Sequence, residues 1–152
     1  MRNALAVLLI VLLAGACAMT EPEPTPLELQ AFQQREFPAP KRVLFAATVS
    51  SFQDLGYIVD AADFDTGLIT VSSPARSGFV PFVGTVNSQT RATAFVEEAG
   101  EGASRARLNF VTGTESADAY GRMTRQDERI LDPAVYREAF ERIDVTIFTR
   151  TP

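Results

Sequence analysis

The chain has 152 residues and a formal net charge of −5, with one cysteine, no histidine and no tryptophan. This length suits one domain with a single core, and a lone cysteine excludes an intramolecular disulfide. The acidic balance argues against nucleic acid as a partner and against electrostatic attraction to anionic membrane surfaces. The lack of histidine removes the commonest general base and metal ligand, which disfavours an enzyme.

The first 17 residues resemble a bacterial lipoprotein signal. Arg2 precedes an apolar run over residues 4–13, and Ala14-Gly15-Ala16-Cys17 follows. A positive start, an apolar stretch and small residues at the end are typical of secretion signals, and this run is shorter than the roughly 20 residues that span a bilayer. The resemblance implies removal of residues 1–16 and acylation of Cys17. Because Ala18 rather than aspartate follows the cysteine, it also implies anchoring to the outer membrane, with the domain facing the periplasm.

An ordinary signal remains the alternative to acylation. Ala14 stands where lipoprotein signals usually carry leucine. Cleavage before Cys17 or after Ala18, without a lipid, would fit the same small residues. Acylation is favoured because a free thiol in an exported chain invites stray oxidation.

Residues 17–38 are predicted to tether the lipid to the folded domain. Residues 18–26 read A-M-T-E-P-E-P-T-P, and this alternation of proline with acidic residues forms neither a helix nor a central strand. A short helix is compatible with residues 27–37 and is closed by Pro38. We therefore expect a signal over residues 1–16, a lipidated Pro/Glu-rich tether over residues 17–38 and one domain over residues 39–152.

Two later segments carry residues at helical spacing. Residues 41–55 form the first, which ends before Gly56, a residue suited to a helix C-cap. One face of this helix carries Leu44, Phe45, Thr48, Val49, Phe52 and Leu55. The second helix follows Asp132, a strong N-cap, and starts at Pro133. Its apolar stripe consists of Tyr136, Phe140, Ile143 and Ile147.

Four β-rich runs lie between these helices. Residues 57–63 and 68–72 flank a turn sequence and predict one hairpin, and residues 90–97 and 105–111 predict a second. The apolar face of the second hairpin consists of Ala92, Ala94, Val96, Ala106, Leu108 and Phe110. The order helix, hairpin, hairpin, helix predicts an α+β fold in which a four-stranded antiparallel sheet carries two helices on one face.

Two segments have no periodic pattern and are predicted to be loops. Residues 72–89 are rich in Gly, Pro and Ser but contain Phe79, Val80, Phe82 and Val83. These four form either an exposed membrane or protein contact, or a flap folded over the open end of the core. In the polar segment over residues 113–130, Tyr120 and Met123 raise the same question.

The mature chain resembles a family of small bacterial outer-membrane lipoproteins with the pattern L-Q-D-L-G-F, then D, then G-L-I. The likeness rests on residues 34–37 (Q-R-E-F), 53–57 (Q-D-L-G-Y), 63–70 (D-F-D-T-G-L-I-T) and the closing helix after Asp132. Phe52 stands where the family pattern has leucine. The first helix and hairpin also resemble a domain of the BamC-type accessory lipoproteins of outer-membrane barrel assembly. Neither resemblance implies a catalytic residue.

An aspartate cluster at the first hairpin is weighed as a cation site. Asp60, Asp63 and Asp65 offer several oxygens, which calcium prefers. Their spacing departs from the EF-hand pattern, and turn-forming aspartates explain the cluster more simply. We therefore predict no metal and no cofactor.

The polar face of the second hairpin carries three arginines. Arg91, Arg105 and Arg107 could receive an anionic glycan or a lipid headgroup. Solvated sheet residues are the simpler interpretation, with Glu97 opposite Arg105 as an exposed pair of small energetic worth.

These features predict a lipid-anchored cell-envelope protein that works as a non-catalytic binding or assembly module. Its expected partners are the membrane, reached through the lipid on Cys17, and an envelope protein, but no nucleic acid. Two alternatives stay open, an envelope enzyme acting through carboxylates and a purely structural outer-membrane lipoprotein. A pocket with two carboxylates of divergent pKa would favour the enzyme.

Overall fold

Helices and strands segregate along the chain, as expected for the α+β class. The structure, a computed structural model, describes residues 24–81, 83–117 and 120–150. Within them the elements are α1 (Pro26–Gln33), β1 (Gln34–Phe37), α2 (Lys41–Asp54), β2 (Ile58–Asp63), β3 (Leu68–Ser72), β4 (Arg76–Val80), β5 (Gly84–Glu98), β6 (Ser104–Ala117), β7 (Met123–Arg129) and α3 (Pro133–Arg150). The α+β class is confirmed, but the expected count of four strands and two helices is wrong, because the described residues form seven strands and three helices.

The β5–β6 hairpin forms the two central strands of one antiparallel sheet. Its register runs without a shift from Thr85 opposite Ala117 to Glu98 opposite Ser104. Next to the β5–β6 turn, β3 and then β2 pair beside β5, while β1 pairs beside β6. In the other half of the hairpin, β4 pairs with β5 and β7 pairs with β6.

The core lies between one face of this sheet and the helices α2 and α3. Alternation along β5 and β6 turns every second side chain toward the helices, and the six apolar residues predicted for this face are all buried. Three of the six are alanines, which leave room for the helices to approach. The helices contribute the large buried side chains Leu44, Phe52, Tyr136, Phe140 and Ile143.

Both predicted helix ends are confirmed by their hydrogen bonds. At the end of α2, Gly56 adopts a φ of 85°, and the Tyr57 N–H donates to the Phe52 carbonyl at 2.9 Å. This bond satisfies a carbonyl of the last turn, and the left-handed backbone favours glycine. At the start of α3, the Asp132 carboxylate accepts a 2.8 Å bond from the Ala134 N–H, as an N-cap should.

The fold includes residues that sequence analysis assigned to the tether. The Thr25 hydroxyl accepts from the Glu28 N–H, and the Glu28 carboxylate accepts from the Thr25 N–H at 2.7 Å, a capping box that starts α1. β1 then pairs with β6, and the Phe37 side chain is buried in the core. Residues 26–37 are therefore packed on the domain, ahead of the expected boundary at residue 39. Cys17 lies outside the described residues.

Both segments predicted to be loops contain strands. β4 continues the line of β3 along β5 after an interruption at residues 73–75, where the Ser73 N–H donates to the Thr90 carbonyl at 2.7 Å. β6 runs on to Ala117, and β7 returns beside it. The loop predictions are wrong because β4 and β7 lack apolar–polar alternation and gain their pairing from β5 and β6.

Candidate functional site

Half of the sheet is not covered by any helix. We call this half the β-arm: β4, residues 84–90 of β5, residues 111–117 of β6, and β7. None of these residues is buried. The side chains on the face turned toward the helices explain this exposure. The apolar residues of that face end at Ala92 and Phe110, and the positions beyond them carry mainly hydroxyl side chains: Val86, Ser88, Thr90, Thr112, Thr114 and Ser116. Hydroxyls do not drive helix packing, so the β-arm projects from the core as a single layer.

The two turns at the far end of the β-arm lie side by side, because Thr85 pairs with Ala117. Five large exposed side chains gather there, and we call them the apolar end: Phe79, Val80, Val83, Tyr120 and Met123. Phe79, Tyr120 and Met123 are 76%, 92% and 77% exposed. Of the two alternatives for this segment, a flap over the core is excluded for Phe79, Val80 and Val83. Phe82 lies outside the described residues.

Ion pairs cross the outer face of the β-arm, the face turned away from the helices. Arg91 on β5 donates to the Asp127 carboxylate on β7 at 2.9 Å, and Arg125 contacts Asp127 and Glu115 at 3.4 Å each. Arg91 reaches across β6 over Gly113, where an added Cβ would lie 2.9 Å from the Asp127 carboxylate. The depression over this glycine has a volume of about 140 Å³. An incoming anion would have to compete with Asp127 for Arg91.

The other two arginines predicted for the polar face, Arg105 and Arg107, lie outside the β-arm and also have neighbours on adjacent strands. Arg105 pairs with Glu97 at 3.3 Å, as predicted, and also with Glu36 of β1 at 3.0 Å. Arg107 lies opposite Gln34 in the β1–β6 register. All these pairs are solvent-exposed, so each contributes little to stability.

The aspartates of the first hairpin have separate hydrogen-bond partners. The Asp63 carboxylate accepts from the Asp65 N–H at 2.9 Å and from the Thr66 N–H at 3.4 Å. These two bonds hold the pKa of Asp63 below its usual value of 3.8, and the bond from the Thr66 N–H has the larger effect. The Asp60 carboxylate instead accepts from the Ser72 hydroxyl at 3.0 Å. No group of three potential metal ligands occurs among the described residues.

A cleft opens where the β-arm leaves the helices. A cavity of about 480 Å³ and a neighbouring one of about 200 Å³ share Leu55 and Tyr57 in their walls. Burial raises the pKa of the Tyr57 phenol, and the charge of Glu138 adds to the effect. Glu138 is the single carboxylate among the described residues that line the two cavities, which leaves no carboxylate pair there for acid–base chemistry.

Sequence reasoning identified the β4 side of the apolar end and raised only a question for Tyr120 and Met123. The β5–β6 hairpin is longer than the sequence pattern predicted. Once its pairing extends to Thr85 and Ala117, the flanking turns must meet at the same end. A signal for this extension exists in the Thr/Ser-rich, β-compatible residues next to the predicted strands.

No protein-family model matches the chain, and no curated protein matches it. Within the described residues, no helix is both long and apolar enough to cross a membrane.

Proposed function

We propose that this protein is a lipid-anchored component of the bacterial cell envelope that works as a non-catalytic binding module. In this proposal the lipid on Cys17 holds the chain at the outer membrane on the periplasmic side. The apolar end of the β-arm is its contact surface. The observation that carries the proposal is the exposure of five large apolar side chains at one end of the β-arm, whose other exposed residues are mainly polar.

Clustering separates the apolar end from ordinary exposed residues. Single exposed apolar side chains are normal, whereas several at one end of a fold indicate a contact surface. Fully covering one such side chain contributes about 1.5–3 kcal/mol. Because Val80 and Val83 are already about half-buried, covering all five would contribute on the order of 5–10 kcal/mol before the cost of association. The β-arm supports this role because it carries the group clear of the core.

The polar groups of the described residues support binding rather than catalysis. The carboxylates on the outer face of the β-arm are engaged by Arg91 and Arg125. The cleft beside Tyr57 offers Glu138 without a second carboxylate. With no histidine in the chain, neither place supplies a general acid and base together.

Photo-crosslinking in living cells tests the contact surface. A photoreactive phenylalanine analogue replaces Phe79 in the full-length protein, made in the bacterium that encodes it. The matched control carries the analogue at Phe148, which is 84% exposed and lies about 20 Å along α3 from Val135 at the cleft. We expect an adduct with a lipid or a protein from position 79 and little from position 148. Equal yields at the two positions, or none at 79, would overturn the proposal.

A further inference from the structure

Residues paired across the four strands of the β-arm form rows, and their polarity changes away from the apolar end. The outermost paired row is Phe79, Thr85, Ala117 and Met123, and the second is Gly78, Val86, Ser116 and Thr124. Neither row contains a charged residue. The first charges of the paired rows, Glu115 and Arg125, stand in the third, with Ser77 and Asn87.

This spacing matches the depth of a membrane interface. Successive residues of a strand are about 3.4 Å apart, so the third row lies about 7 Å from the first. Interfacial segments bury their apolar groups about 5–10 Å into the headgroup and acyl boundary. Deeper insertion would bring Glu115 and Arg125 into hydrocarbon, which is unfavourable for charged groups.

The apolar side chains surround the end of the β-arm instead of occupying one face. The register places Phe79 and Met123 on the outer face and Val80 on the opposite face, while Val83 and Tyr120 belong to the two turns. A protein docked on a flat sheet would cover one face, whereas a bilayer surrounds an inserted end on every side. The tyrosine ring, apolar with a polar tip, suits the interface.

The described charged residue of the β6–β7 turn, Arg122, lies beyond the outermost paired row. Arg122 is exposed in this turn, and its long stem allows the guanidinium to stay among headgroups while the neighbouring side chains go deeper. Asp118 lies outside the described residues.

We propose that the apolar end inserts into the interface of a lipid bilayer, to the depth of the two uncharged rows. This inference rests on the proposed function and names its contact as lipid. Residues 18–25, if extended, span about 25 Å, so the anchor keeps the domain near a membrane and raises the effective concentration of the apolar end there. Without residues 1–16, which include Arg2, the chain keeps 13 basic and 19 acidic residues. Its net charge of −6 gives no attraction to anionic lipid, so insertion should proceed with zwitterionic lipid alone.

Tryptophan fluorescence tests this insertion directly, because the chain has no tryptophan of its own. Two separate variants, Phe79→Trp on β4 and Met123→Trp on β7, each place a single tryptophan at the apolar end. Phe148→Trp is the matched control. Each full-length lipidated protein is reconstituted into phosphatidylcholine vesicles, with and without lipid brominated near the headgroup. We expect emission from positions 79 and 123 at shorter wavelength than from 148, and quenching by the brominated lipid roughly twofold stronger or more.

Each outcome separates this inference from the proposed function. If the reporters at positions 79 and 123 both behave as the reporter at position 148 does, insertion is wrong, even where crosslinking at position 79 captures a protein and the binding role stands. Mass spectrometry of the mature amino terminus reports acylation separately. If Cys17 carries no lipid, the same variants are added to preformed vesicles at high lipid concentration, and unshifted emission from position 79 there also overturns insertion.

Discussion

Replacing Phe140 with alanine tests the architecture of the core. The Phe140 side chain is 2% exposed, its ring lies 6.1 Å from that of Phe37, and the Arg35 guanidinium stands 5.0 Å above it. Truncating a buried phenylalanine to alanine typically costs about 3–5 kcal/mol, a large share of the 5–15 kcal/mol that holds a domain together. The chain has no disulfide to offset this loss.

Urea denaturation of the mature chain, made with Cys17→Ser so that no lipid interferes, measures the effect. With a urea dependence of about 2 kcal/mol per molar, a loss of about 4 kcal/mol lowers the midpoint by about 2 M. Phe148→Ala on the same helix is the control, because Phe148 is exposed, and it should move the midpoint by only about 0.25 M. Equal midpoints for the two variants would mean that the stripe of α3 does not face the core.

Three further predictions concern turns and the amino terminus. Gly67→Ala should lower the melting temperature of the domain clearly more than Gly56→Ala does. Both glycines have positive φ, which costs an alanine about 1–2 kcal/mol, but only at Gly67 would a Cβ collide with the Val96 carbonyl oxygen. Because its folded pKa is lowered, Asp63 stabilises the fold above pH 3.8 and loses this effect as the pH falls through the folded pKa, so Asp63→Ala should flatten the acid limb of stability against pH. Mass spectrometry should find a mature chain that starts at acylated Cys17, and an unmodified cysteine or a start at Met19 would refute anchoring.

Elements with a strong hydrophobic period were predictable from the sequence. The stripes of α2 and α3 and the alternation around Ala94 and Leu108 require burial on one side, so their faces follow from spacing alone. Their caps, Gly56 and Asp132, also carry local signals with a known backbone cause.

The β-arm was not predictable in the same way, because no core dictates its pattern. The sequence of β7 shows no alternation of apolar and polar residues. It is mostly polar and charged, as suits an exposed edge strand. Its hydrogen bonds depend on β6, a neighbour that sequence spacing does not reveal. At the amino-terminal end of the domain, the capping box of Thr25 and Glu28 with Pro26 at the first position was an available local signal for α1.

The candidate site was predictable in part. Phe79, Val80 and Val83 stood out because large apolar residues are unusual in a Gly/Pro/Ser-rich segment. Their meeting with Tyr120 and Met123 depends on a long-range register, Thr85 opposite Ala117, that composition does not encode. Arg91 was recognised as a surface cation, but its pairing with Asp127 across Gly113 required the three-strand geometry.

Hydrogen exchange of the lipidated protein tests most directly the claim that the β-arm makes contact through its apolar end. Two samples are compared. One is the lipidated protein in native envelope vesicles, and the other is the Cys17→Ser mature chain in detergent-free solution. We expect slower exchange in vesicles over residues 78–86 and 117–124, with residues 140–150 unchanged. Equal exchange at the end of the β-arm in the two states, or protection confined to α3, would contradict it.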